Sequence, residues 1–235
     1  MRRRRAIIVF SVGMFILMLL GAALPQIIEE SVPNSLNNST SQRSGGQNDS
    51  ATISPALEAL EKITVKGRAP KTGYERSQFG NGWSVVNGCS TRNIILYRDL
   101  ENTVVDEKCV VVSGVLQDPY SGKQINFTKE NSSDVQIDHV IALSDAWQKG
   151  AQLLTREQRV QLANDPLELL AVAGADNQAK SDGDAATWLP KNKAFRCEYI
   201  ARQIAIKIKY SLWVTRAEKD VMSGVLKTCP QQVLP

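Results

Sequence analysis

One histidine in 235 residues narrows the chemistry open to this sequence. His139 directly follows Asp138, and the pair ends a short alternation of apolar residues, Val135 and Ile137. Asp-His sets a hard anionic oxygen beside the one side chain whose ordinary pKa lies near neutrality, and these are ingredients of metal-assisted hydrolysis. Asn164 follows 25 residues later and Asn177 a further 13, each just outside an apolar segment. Sites built from two or three histidines are excluded, and no C-x-x-C pair is present, which argues against zinc fingers and thioredoxin-like motifs. A serine hydrolase is the competing chemistry, with Ser144 as nucleophile, but no nucleophile-elbow pattern surrounds it. On these residues alone, a hydrogen-bonded structural histidine is the simpler reading.

The elements that must hold these residues read as mixed helix and strand. Ser54-Pro55 is an N-cap and first helical turn, leading a short helix with Leu57, Leu60 and Ile63 on one face. Glycine-rich sequence runs on to Gly88. Asn93 to Leu100 and Cys109 to Leu116 predict strands, the second entering a turn, Asp118-Pro119-Tyr120-Ser121-Gly122, and forming a hairpin with Ile125 to Phe127. Val135 and Ile137 predict a strand ending at Asp138-His139. Thr155 with Gln158 makes a capping box for a helix to about Ala163, and Leu167 to Val172 is a short apolar run that reads as a strand. Cys197, Ile200, Ala201, Ile204 and Ile208 keep helical spacing, and Thr215 with Glu218 caps a last helix ending before Cys229.

Three regions divide the chain. Residues 1–30 carry Arg2 to Arg5 followed by an uncharged run, an export signal that serves either as a cleaved signal peptide or as an uncleaved signal-anchor helix. Residues 31–54 are rich in Ser, Asn and Gly without apolar periodicity and read as a disordered linker. Residues 55–235 form the folded domain. Cys89, Cys109, Cys197 and Cys229 all lie within it, and an even count in an exported chain favours disulfides over free thiols. Three connectivities are open; nearest-neighbour pairing would close two short loops and staple the two ends of the domain separately. The protein is expected to be secreted, or anchored to the outer face of the cytoplasmic membrane by its N-terminal helix.

Order and surroundings then matter. Val135-Gln136-Ile137-Asp138-His139-Val140-Ile141, Ala163-Asn164-Asp165-Pro166-Leu167, and Asp176-Asn177-Gln178-Ala179-Lys180-Ser181-Asp182 together resemble the HNH nuclease signature. They closely resemble the HNH domain at the C-terminus of GmrSD-type restriction endonucleases, a family also met as small exported bacterial proteins. The likeness continues through Arg98-Asp99-Leu100, Asp118 to Gly122, Ala146-Trp147, Trp188-Leu189-Pro190 and the cysteines. The restriction enzymes add a large nucleotide-hydrolysing region that this sequence does not contain, so the restriction role is not implied.

What the resemblance implies is an α+β fold: a ββα-metal (HNH) core with additional N-terminal strands and C-terminal helices. His139 would be the general base, Asp138 and Asn177 the metal ligands, and Asn164 the residue steadying the loop that carries the base. Oxygen donors of this kind suit Mg²⁺ or Mn²⁺ rather than zinc. Lys180 is a candidate phosphate contact, set against a solvated surface lysine. Arg98, read as lying in a strand, either pairs with a phosphate or forms a structural ion pair with Asp99. Trp147, Trp188 and the Asp118 turn read as structural. The implied activity is endonucleolytic cleavage of DNA, with RNA as a further substrate, at low sequence specificity; a noncatalytic nucleic-acid-binding protein of the same fold is the alternative. No partner protein is indicated.

Charge sharpens where nucleic acid would be held. The whole chain is +4, but four of its arginines lie in the leader. Residues 56–184 are net −4, while residues 185–235 carry nine basic and three acidic side chains. Lys191, Lys193, Arg196, Arg202, Lys207 and Lys209 therefore read either as a backbone-binding surface or as solvated helix faces.

Overall fold

The computed structural model describes residues 53–235; the leader and most of the linker lie outside them. Helix α1 (Pro55–Glu61) starts where Ser54 caps it and Pro55 supplies a preset φ. Two-residue strands β1 (Val85–Val86) and β2 (Cys89–Ser90) form a small hairpin. Helix α2 (Thr91–Asp99) follows, and then the antiparallel sheet β3 (Leu100–Val105), β4 (Val111–Gln117) and β5 (Gln124–Thr128). A second antiparallel pair joins β6 (Val135–His139) to the distant β7 (Leu169–Ala173). Between them lie α3 (Leu143–Gln148) and α4 (Arg156–Ala163), and after them α5 (Gly174–Lys180), α6 (Arg196–Lys209) and α7 (Arg216–Leu226).

The strand expected over Asn93 to Leu100 is a helix up to Asp99. Ile94, Ile95 and Leu96 favour a strand by their local character, but Ser90 accepts from the Asn93 N–H and starts a helix. Thr91, Ile95 and Leu96 then share one buried face, so tertiary packing overrides β-propensity. Leu100, with which that reading ended, begins β3. The other elements fall close to their predicted places, and both capping boxes, Thr155–Gln158 and Thr215–Glu218, form. Ile208, assigned to the apolar face of α6, is 47% exposed.

Two apolar clusters meet at the β6–β7 pair. In β7, Leu169 and Ala171 enter one cluster with α2 and the three-stranded sheet, while Leu170 and Val172 enter the other with α1, α3, α6 and α7. A strand buried on both faces reads as a continuous apolar run, Leu-Leu-Ala-Val-Ala, and not as an alternation. Helix α5 follows β7 without a loop and packs on both strands. A Cβ on Gly174 at that junction would overlap the Ser133 carbonyl, so only glycine allows so tight a passage. Cys89 is bonded to Cys109 and Cys197 to Cys229, with Cα separations of 5.3 and 6.3 Å. The second bond ties α6 to the chain just beyond α7.

Candidate functional site

Strand pleating decides what each half of Asp138-His139 meets. His139 stands opposite Leu169 and Asp138 opposite Leu170, so the two side chains leave β6 on opposite faces. A polar basin of about 250 Å³ touches both, lined also by Arg76, Gln136, Asn177 and Asp182.

The His139 ring hydrogen-bonds the Ala163 carbonyl at 3.0 Å through Nε2. A carbonyl only accepts, so Nε2 carries the hydrogen and Nδ1 holds the lone pair. Burial pushes the imidazole pKa down to about 3; the Ala163 carbonyl opposes this, and the positive charges of Arg76 and Lys180 add to it. His139 is therefore neutral throughout the ordinary pH range, the form in which it accepts a proton. Trp83 lies parallel to it, with 6° between planes and 5.7 Å between ring centres.

Asp138 faces a different environment. Lys180 Nζ donates to Oδ1 at 2.9 Å and the Tyr120 hydroxyl donates to Oδ2 at 2.5 Å. Burial raises the carboxyl pKa, against the lowering effects of Lys180 and Tyr120. The Tyr120 phenol is pushed well up, chiefly by burial and then by Asp138, and stays a donor. Behind this layer Glu168 is wholly buried, its carboxyl reached by the Ile141 N–H. Burial pushes that carboxyl well above the usual range.

The remaining expected site residues divide. Asn177 lines the basin, and its Nδ2 donates to Gln136 at 2.8 Å. Asn164 lies at the end of α4, where Oδ1 accepts the Ser84 N–H at 2.8 Å and Nδ2 donates to Val160; it pins the loop that carries Trp83. Lys180, read as a phosphate contact or a surface lysine, is neither in this structure: its side chain is wholly buried and its ammonium also donates to the His139 carbonyl. Arg98 is helical rather than in a strand. It pairs with Asp99 and donates to the carbonyls of Pro166 and Leu169, which occupies its guanidinium within the fold. The basic C-terminal residues are also largely engaged: Lys207 is buried against Glu218, Lys209 pairs with Asp165, Lys191 with Asp176, and Arg202 donates to Leu167.

Three residues outside the sequence reading belong to the site. Tyr120 comes from the turn read as structural. Arg76 and Trp83 come from the glycine-rich stretch, which carries no periodicity to mark them. Arg76 lines the basin and, among the described residues, has no hydrogen-bond or ion-pair partner.

No cluster of three or more His, Cys, Asp or Glu side chains is placed for a metal among the described residues. The donors at the basin are instead the carboxylates of Asp138, whose oxygens each keep a second lone pair, and Asp182, together with amide oxygens. That set fits a hard cation retaining most of its waters, bound through one or two carboxylates, and does not fit a cation wanting nitrogen or sulfur.

Fold and cleft define a class: a small disulfide-bonded α+β domain built around one histidine at a strand end. Residues 91–225 match the family described as GmrSD restriction endonucleases, C-terminal domain, and the chain belongs to that family. A protein of Arthroderma benhamiae, described as an uncharacterized secreted protein, is 40% identical over 179 residues, 75% of this chain and 85% of that one. No solved structure matches.

Proposed function

We propose that the protein is an exported, divalent-metal-dependent endonuclease that hydrolyses phosphodiester bonds in DNA with little sequence preference, with RNA as the alternative substrate. The observation that carries this reading is His139 on a basin of oxygen donors, with its tautomer set by the Ala163 carbonyl so that Nδ1 keeps its lone pair. In that form it takes a proton from an attacking water. Asp138 and Asn177 would hold Mg²⁺ or Mn²⁺, which supplies positive charge where the leaving oxygen develops its own. Lys180 and Tyr120 fix the carboxylate of Asp138 in place, and Asn164 fixes the loop against which His139 packs. Membership of a restriction-endonuclease domain family supports the nuclease class.

Export is supported by the arginine-led apolar run, by two disulfides and by the description of the Arthroderma benhamiae relative as secreted. No helix among the described residues is long and apolar enough to cross a membrane; the leader lies outside them. Plasmid cleavage with Mg²⁺ or Mn²⁺, with and without chelator, tests the reading. His139→Ala is expected to slow cleavage by about 10²–10⁴-fold, and equal nicking by variant and wild type would overturn the mechanism. Salt-sensitive binding of DNA without metal-dependent cleavage would select the noncatalytic alternative.

A further inference from the structure

Adjoining the polar basin is a second recess of about 230 Å³ whose own lining is Phe79, Gly80, Gly82, Trp83 and Ala163. Arg76, His139 and Leu143 line both spaces. A polar basin and an aromatic recess, bridged by an arginine with no partner among the described residues, repeat the alternation of a nucleic acid strand, in which an anionic phosphate neighbours a flat, largely apolar ring. We propose that the recess takes the nucleobase beside the scissile phosphate, with Arg76 on the phosphate, and that the protein therefore cuts single-stranded or unpaired nucleic acid in preference to intact duplex. This rests on the nuclease reading above and adds to it the strandedness of the substrate.

The recess is held in shape by the fold. Trp83 is fixed from two sides, by its parallel contact with His139 and by the Asn164 bond to the next residue's N–H. Gly80 and Gly82 adopt φ of 106° and 128°, a conformation side chains disfavour, and a Cβ on Gly82 would meet nothing within 4 Å. The chain thus turns past the recess without filling it. In duplex DNA each base is stacked and paired, and withdrawing one costs energy that a single strand does not require. Aromatic contact with a base is sequence-tolerant, because every base offers a flat face. The segment from Arg76 to Trp83 precedes the residues matched to the family.

The experiment compares kcat/KM, with Mg²⁺ or Mn²⁺, on three substrates: a labelled single-stranded oligonucleotide, the same sequence as duplex, and a single strand carrying a run of abasic sites. Wild type is expected to cut the base-bearing single strand at least about tenfold faster than the other two. Trp83→Ala should lower cleavage of the base-bearing single strand at least about tenfold more than that of the abasic strand, Trp83→Phe should restore the difference, and Arg76→Ala should weaken cleavage of all three alike. Thermal melting checks that each variant folds. Equal wild-type rates on single strand and duplex would overturn the inference alone. So would an equal loss on base-bearing and abasic strands in Trp83→Ala, which would leave Trp83 only a support for His139. If wild type cut none of the three, the nuclease reading itself would fall, and this inference with it.

Discussion

A neutral histidine and a lysine-paired aspartate sit next to each other in the chain, and their opposite environments give separate predictions. His139 has a folded pKa of about 3 against an ordinary 6.5. As pH falls below 6.5 the unfolded chain binds a proton that the folded protein refuses, so this stabilisation is present above 6.5 and is lost as pH drops toward 3. The slope is roughly 1 kcal/mol per pH unit. Urea titrations with chelator present, from pH 7 to pH 4, should show wild type losing stability faster than His139→Gln by about that slope; parallel curves would contradict the burial argument. Lys180 is expected to matter for folding before it matters for substrate. Lys180→Met leaves Asp138 buried beside Tyr120 alone and should cost about 3–5 kcal/mol. Much of that should return in the double variant with Asp138→Asn, whereas a loss below about 1 kcal/mol would mean that Lys180 is solvated.

At the scale of elements, the β6–β7–α5 unit places the site, and its tightest point is Gly174. Because α5 starts immediately after β7, the helix cannot shift without moving Asn177 off the basin. Gly174→Ala should destabilise the fold by about 1–3 kcal/mol through overpacking against Ser133, and should lower activity beyond what the loss of folded protein explains. Thermal melts together with cleavage rates measured well below the melting point would separate the two effects. Helix α2 teaches a related lesson. Its sequence favours a strand residue by residue, and the Ser90 cap and the buried Thr91–Ile95–Leu96 face turn it into a helix. That helix brings Arg98 to the carbonyls at both ends of the Pro166–Leu169 segment, where it braces the approach to β7.

Across the whole molecule, a second charged network binds parts of the chain far apart in sequence. Lys149 is fully buried and reaches Asp145 at 2.9 Å, Asp184 at 2.8 Å and Glu218 at 2.7 Å. Lys207 pairs with Glu218, and Arg68 with Asp145 and Asp184. Three cations meet three anions, joining α3, α6, α7 and the segment after α1. Lys149→Met removes the central cation and leaves buried carboxylates under-compensated, an expected cost of about 3–5 kcal/mol. Arg68→Ala, at the partly exposed rim, should cost only about 1 kcal/mol. Denaturant midpoints for the two variants check this order, and similar losses would show that burial does not set the strength of the network.

Local chemistry was legible in the sequence: the Asp138-His139 strand end, both capping boxes, the apolar β7 run and the four cysteines, because caps, periodicity and composition act within a few residues. The family likeness was legible too, in the order of Asp138-His139, Asn164 and Asn177. Only the tertiary structure decided which cations line the cleft. Lys180 is buried against Asp138, and Arg98, though exposed, is engaged by Asp99 and two backbone carbonyls, while Arg76, from a glycine-rich stretch with no pattern of its own, lines the cleft. Spacing along a chain reports which side chains can share a face, but whether a charge is left for a substrate depends on partners that folding brings from dozens of residues away.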